Sequence, residues 1–262
     1  MTMTETMNGT PIARPERQWG SALKALRRLL SDKEDTTQVF EIMRALNGGA
    51  SVKNYRHLLE TREGGRIAYE RVELAPKLMD QTWLDSFAAG TVGAAYRDFI
   101  RSENLSAEGL AEISRQTQSR VEDMHPYAWF GRRMRDSHDI WHILSGYHRD
   151  GLGEACLVAF SYAQTRGLGW ALIAIGAGLS ALREGSLTAA RAIWQGYRRG
   201  KAAKWLPGED YVQLMSEQLD AARRRLNITP ATIYDATPPD ARDAPKRNTG
   251  ARQSNSAKQA VQ

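Results

Sequence analysis

The chain has 262 residues, 42% of them hydrophobic and 25% charged, a balance that suits a single globular core. One cysteine, Cys156, excludes an intramolecular disulfide, and the chain has no CxxC pair for a zinc ribbon or a redox site. The net charge of +6 gathers in RR198–199, KAAK201–204 and RRR223–225 among Trp194, Tyr197 and Trp205, with no finger spacing or RNP box. Most of that charge is expected on solvated helix faces. Basic residues among aromatics could equally suit nucleic acid or an anionic membrane surface, although no nucleic-acid motif accompanies them.

Residues 1–15 are polar with two prolines, so a disordered N-terminal tail is expected; no apolar signal core is visible in them. From residue 16 the periodicity is helical. RQWGSALKALRRLLSD spaces Trp19, Leu23, Leu26, Leu29 and Leu30 along one helix face. TQVFEIMRALNGG and SVKNYRHLLETREGG both end on glycine pairs that read as stops. GTVGAAYRDFIRSENLS is expected to be a helix bearing Tyr96 and Phe99. A long helical segment then runs from about Glu122 to His148, turns at Gly151 and Gly153, and continues through EACLVAFSYAQTR. GLGWALIAIGAGLSAL, residues 167–182, carries no charge. It is shorter than the about 20 apolar residues a membrane span needs, so a buried core helix is expected, with a lipid groove or interfacial helix as the alternative. SLTAARAIWQGYRRGKAAKW and GEDYVQLMSEQLDAARRRLNI complete the core. Residues 229–262, rich in Pro, Asp, Arg and Ser, read as a second disordered tail. The fold class is therefore all-α, a single compact multi-helix domain over 16–228.

Chemistry concentrates in HDIWHILSGYHRDGLGE, 138–154, which holds three of the five histidines. His138 and His142 lie one helical turn apart and can aim both imidazoles at one atom. Asp139 stands about 100° around the helix from His138. A reversal at Gly151 and Gly153 would bring Glu154 back over the pair. Two imidazoles with carboxylates suit zinc, and also iron or manganese, and leave coordination positions open. A helix that is merely polar on one side is the competing reading. His148 is a candidate outer partner, His57 and His125 have weaker claims, and Cys156 is expected to be a buried small residue.

HDIWH followed by eleven residues and Glu154 resembles the HDxxH-x11-E signature of the Coq-four family of ubiquinone-biosynthesis proteins. GRIAYER (65–71), GTVGAAYRDF (90–99), Arg135 three before His138, YAQT (162–165), WQGYRRGKAAK and RRRLNI resemble family segments in order, so the likeness covers about 36–229. Tyr162-Ala163 and Tyr211-Val212 stand where the family carries an acid, and a Pro-Thr-Asn linker is missing before Glu154. The resemblance implies His138, Asp139, His142 and Glu154 as metal ligands, with zinc the expected ion, and Arg135, Asp139 and Glu154 acting on substrate. It implies metal-dependent oxidative decarboxylation of a polyprenylated hydroxybenzoate-type precursor, C1 carboxylate removal with hydroxylation. The alternative is a non-catalytic, isoprenoid-binding scaffold for the biosynthetic complex. A metallohydrolase fits less well, since Asp139 stands where HExxH proteases have glutamate. Implied partners are the quinone precursor, other ubiquinone-biosynthesis enzymes, an anionic membrane surface and a second copy in a homo-oligomer, with no nucleic acid. The implied location is cytoplasmic, peripheral to the inner face of the cell membrane.

Overall fold

The structure, a computed structural model, describes residues 6–7, 10–11, 17–31, 35–46, 48–102 and 126–243. Helices dominate. The only strands among the described residues are Thr6–Met7 and Thr10–Pro11, paired antiparallel. The rest of the expected N-terminal tail, the tail beyond 243, and His125 lie outside the described residues.

α1 (Trp19–Ser31) and α2 (Thr36–Leu46) pack on each other. Ala22, Ala25 and Leu29 form the buried face of α1, whereas Trp19 and Leu23 are exposed, so the face is rotated from the expected leucine stripe. Alanines let the neighbouring helices approach closely, and that contact decides the face. α2 stops at Leu46, just before the first glycine pair as expected, whereas the second pair stops no helix. α3 (Gly48–Leu59) begins at Gly48, and Thr61 caps α4 (Arg62–Glu70), which runs through Gly64 and Gly65. The Thr61 hydroxyl accepts from the Gly64 amide at 3.0 Å, supplying a partner for an otherwise free first-turn N–H.

Short α5 (Leu74–Leu78) and α6 (Gln81–Asp85) lead to α7 (Val92–Ser102). α8 (Pro126–Asp136) and α9 (His138–Ser145) follow, then α10 (Gly151–Thr165), α11 (Leu168–Arg183) and α12 (Leu187–Ala202). α10 is the central helix, with Cys156, Leu157 and Phe160 fully buried. α12 lies against it at glycine distance. A Cβ at Gly196 would come within 2.5 Å of the Cys156 carbonyl oxygen, and one at Gly200 within 2.5 Å of that of Phe160. The expected last helix is two, α13 (Tyr211–Leu214) and α14 (Leu219–Arg225), because residues 215–218 leave the helix and Gln218 pairs with Thr91.

Two further expectations change. α11 is not a buried core helix: Ile173, Gly176 and Ala181 face inward, but Ile175, Leu179 and Leu182 are about half exposed or more. No helix among the described residues is long and apolar enough to cross a membrane. The ordered chain also continues past 229, through α15 (Thr232–Asp235) and a 3-10 turn at Pro239–Ala241. Ala231 and Tyr234 are buried in the main core, and that apolar burial holds a segment whose composition reads as disordered.

Candidate metal centre

α9 is anchored on its inner side by Ile140 and Leu144, both fully buried, and by Trp141, whose indole N–H donates to the Tyr211 hydroxyl at 2.7 Å. It ends at Gly146, whose φ of 77° is the left-handed conformation that glycine adopts without strain. Asp150 then caps α10, accepting from the Gly153 amide at 2.8 Å. The turn is tight: a Cβ at Gly153 would stand 2.0 Å from the His148 carbonyl oxygen. These two caps set the reversal that returns Glu154, in the first turn of α10, over α9.

His138, His142 and Glu154 converge, with one ligand atom from each lying within 4.8 Å of the others. His142 Nε2 is 3.3 Å from Glu154 Oε1, and His138 Nε2 is 3.6 Å from Glu154 Oε2. His142 is buried, while Glu154 and His138 are partly open, so the cluster is reachable from one side. Phe99 stacks on His142 and Trp170 stacks on His138 at an interplanar angle of 5°, which walls the cluster with aromatic rings.

The donor chemistry fits a cation. His142 Nδ1 lies 2.9 Å from the Tyr147 carbonyl oxygen, which can only accept, so Nδ1 carries the proton. Nε2 then presents its lone pair, is buried, and has no hydrogen-bond partner. It faces a carboxylate oxygen, itself an acceptor. Two acceptors at this separation call for a proton or a metal ion between them, and a histidine held through its other nitrogen by a carbonyl is the usual supporting arrangement for a metal ligand. Electrostatics agree. Burial disfavours the imidazolium of His138, yet hydrogen bonding and charge from Glu154 outweigh it and raise the pKa. Burial pushes Glu154 upward, and the two histidines overcome it and hold the carboxylate well below its usual range.

Asp139 is not in the converging set. Its charge lies toward Tyr96, whose hydroxyl is pushed up by burial first and then by Asp139 and Asp136. Arg135 is engaged by the neighbouring Asp136 rather than by Asp139, with Nε at 2.9 Å and Nη2 at 2.8 Å from Asp136 Oδ1. Asp136 was not singled out in the sequence. Its side chain is almost fully buried, and burial raises its pKa against the pull of Arg135. His148 contributes its backbone, donating its amide to the Tyr234 hydroxyl at 3.1 Å, and stays outside the cluster. His57 pairs with Glu60. Cys156 is fully buried, as expected.

The basic runs also resolve. Arg199 is 5% exposed and donates through Nη2 to Ser145 O at 2.7 Å, and Arg223 donates to Ile143 O and Leu144 O at 2.9 and 3.1 Å. Both guanidinium groups therefore cap the last carbonyls of the histidine helix, where positive charge stabilises the negative end of the helix dipole. Arg225 pairs with Glu209 and Glu217. Nothing in the sequence distinguishes these arginines from exposed ones.

An all-helical protein with a convergent His₂-Glu set on a helix-turn-helix is the class that this geometry defines. Residues 11–232 match the family model described as coenzyme Q (ubiquinone) biosynthesis protein Coq4, and the chain belongs to that family. Among similar proteins, the mitochondrial ubiquinone biosynthesis protein COQ4 of Pyricularia oryzae is 30% identical over 74% of this chain and 60% of its own length. The COQ4 homologue of Danio rerio is 28% identical over 63% of this chain and 59% of its own. The matched region thus spans about three-fifths of these relatives. The crystal structure of a candidate ubiquinone biosynthesis protein from Nostoc punctiforme shares the fold, with a TM-score of 0.58 at 23% identity over 81% of this chain and 99% of that one.

Proposed function

We propose that the protein carries out metal-dependent oxidative decarboxylation of a polyprenylated hydroxybenzoate-type precursor in ubiquinone biosynthesis. The observation that carries this reading is the one-sided opening of the cluster: three ligand atoms converge while Glu154 remains partly exposed, which suits a metal with positions left for substrate. Zinc, iron or manganese would be held by His138, His142 and Glu154, with Asp139 outside the set. A bound ion supplies Lewis-acid polarisation of the head-group carboxylate. The chain's own residues do the rest. Phe99 and Trp170 flank the aromatic head, and Arg135, tethered by Asp136, sits one turn from His138 to meet the substrate's negative charge. The carboxyl carbon leaves as carbon dioxide and a hydroxyl takes its place, a two-electron oxidation that balances with one dioxygen reduced to hydrogen peroxide and one water consumed.

Membrane association is part of this reading. α12 lines up Leu187, Arg191, Trp194 and Arg198 at helical spacing, all exposed, beside the exposed Ile175, Leu179 and Leu182 of α11. An apolar row with tryptophan and arginine suits the interface of an anionic bilayer, where a prenyl-tailed precursor and the other enzymes of the pathway would be met.

The test incubates wild type and His142→Ala with the prenylated hydroxybenzoate, dioxygen and each metal in turn, measuring carbon dioxide and the hydroxylated product. Product from wild type and at least a 100-fold loss in the variant are expected. Equal product from both would sink the site assignment. Tight metal binding with no turnover under any condition would favour the organising scaffold instead.

A further inference from the structure

The segment 229–243 connects the two halves of the ligand set. Its first residue is held to the histidine helix: the Arg199 guanidinium donates to Thr229 O through Nε at 2.8 Å and also through Nη2, and that same Nη2 donates to Ser145 O at the end of α9. Its far end is held to the glutamate helix. The first three amides of any α-helix have no intrahelical acceptor. In α10 the Gly151 amide donates to Asp243 Oδ1 at 3.0 Å, and the Leu152 amide to Arg242 O at 3.0 Å. Only the third, Gly153, is capped locally, by Asp150 Oδ1 at 2.8 Å. Midway, the buried Tyr234 donates its hydroxyl to the other oxygen of Asp150 and accepts the His148 amide at 3.1 Å. Tyr234 is fixed in turn by an edge contact with Tyr147, the residue whose carbonyl orients His142, and by the Arg242 guanidinium 4.2 Å from its ring centre.

We propose that residues 229–243 act as a strap that sets the separation of α9 and α10, with Tyr234 and Asp243 as positioning residues for Glu154. The family match ends at residue 232, so most of the strap lies beyond it. The inference rests on the metal-centre reading. Removing the Tyr234 hydroxyl frees the Asp150 carboxylate to turn, and removing the Asp243 carboxylate leaves the first amide of α10 to water. Either change loosens the turn of helix on which Glu154 is carried.

The experiment titrates the full-length chain with cobalt(II), recording the visible d–d bands and the dissociation constant. Wild type, Tyr234→Phe, Asp243→Ala, Glu154→Ala and Gln164→Ala are compared, alongside their melting temperatures. Gln164 is buried and ties α10 to Gly200 and Leu206, so its loss destabilises the fold away from the cluster. The expected result is about a tenfold weaker cobalt affinity and altered bands in both strap variants, a loss of binding in Glu154→Ala, and unchanged affinity in Gln164→Ala. Asp243 is exposed, so that variant folds even where Tyr234→Phe does not. Wild-type affinity and bands in Asp243→Ala and in folded Tyr234→Phe would overturn the strap, as would equal weakening in Gln164→Ala. Absence of cobalt binding to wild type would overturn the metal-centre reading itself.

Discussion

At the residue scale, the three converging side chains are unequal. His142 is sealed, tautomerically fixed and aimed, whereas His138 and Glu154 are partly open and hold each other electrostatically. Without metal, the raised pKa of His138 and the lowered pKa of Glu154 make the pair an ion pair. The histidine's contribution to stability is full below its unfolded value of 6.5 and is lost as pH rises through its folded value. The glutamate's is full above its unfolded value of 4.5 and is lost as pH falls through its folded value. Metal-free protein is therefore expected to gain most from this pair between 4.5 and 6.5, with the gain absent in Glu154→Gln, as thermal melts across pH would register. Metal binding runs the other way, because the ion must displace the His138 proton. Cobalt affinity should fall steadily from about pH 8 to about pH 5, and a pH-independent affinity would count against His138 as a ligand. His138 and His142 are legible in the sequence because helical spacing puts them on one face, and Glu154 because the glycines before it signal a reversal. Asp139 was legible as a candidate only: one residue of rotation carries it toward Tyr96 instead.

At the level of elements, the centre depends on how closely α12 lies against α10. Gly196 and Gly200 are one turn apart, and each would drive a Cβ into a backbone oxygen of α10, which cannot swing aside as a flexible side chain could. Gly196→Ala is expected to destabilise the protein by about 1–3 kcal/mol and to weaken cobalt binding, because α10 carries Glu154. Gly178→Ala, which meets nothing within 4 Å in the middle of α11, is expected to be neutral or to stabilise by roughly 0.5–1 kcal/mol. Chemical unfolding of the two variants separates these cases, and equal stabilities would refute the close crossing. The sequence marked both glycines as part of a basic, aromatic stretch, but a glycine within a helix carries no sign of whether its space is occupied. The pair at Gly64 and Gly65 makes the same point in reverse: it reads as a stop, yet the Thr61 cap starts a helix through it.

Across the whole molecule, the proposed membrane contact consists of the exposed rows on α11 and α12. Arg191→Gln with Arg198→Gln is expected to weaken binding to vesicles containing phosphatidylglycerol by about 30-fold, from about 1 kcal/mol per arginine. Added salt should reduce wild-type binding in the same manner. Trp194→Ser should weaken binding to neutral and anionic vesicles alike, as flotation assays would show. Salt-insensitive binding, or binding unchanged in the arginine variants, would move the contact to another face. Arg199 and Arg223 do not belong in this set, since their charge is used internally on the carbonyls of α9.

The sequence by itself determined the helical class, most core helices, the His-His-Glu spacing and the family likeness, because periodicity and motif spacing are local and one chain segment suffices to express them. Only the tertiary structure decided which face of α11 is outward, that residues 229–243 pack onto the core, that Asp136 rather than Asp139 holds Arg135, and that two arginines of the basic runs are helix caps. All of these except the Arg135–Asp136 pair, which joins sequence neighbours, depend on partners tens of residues away. A charged or apolar residue has the same letter whether a distant backbone carbonyl, a buried tyrosine or open water completes its surroundings.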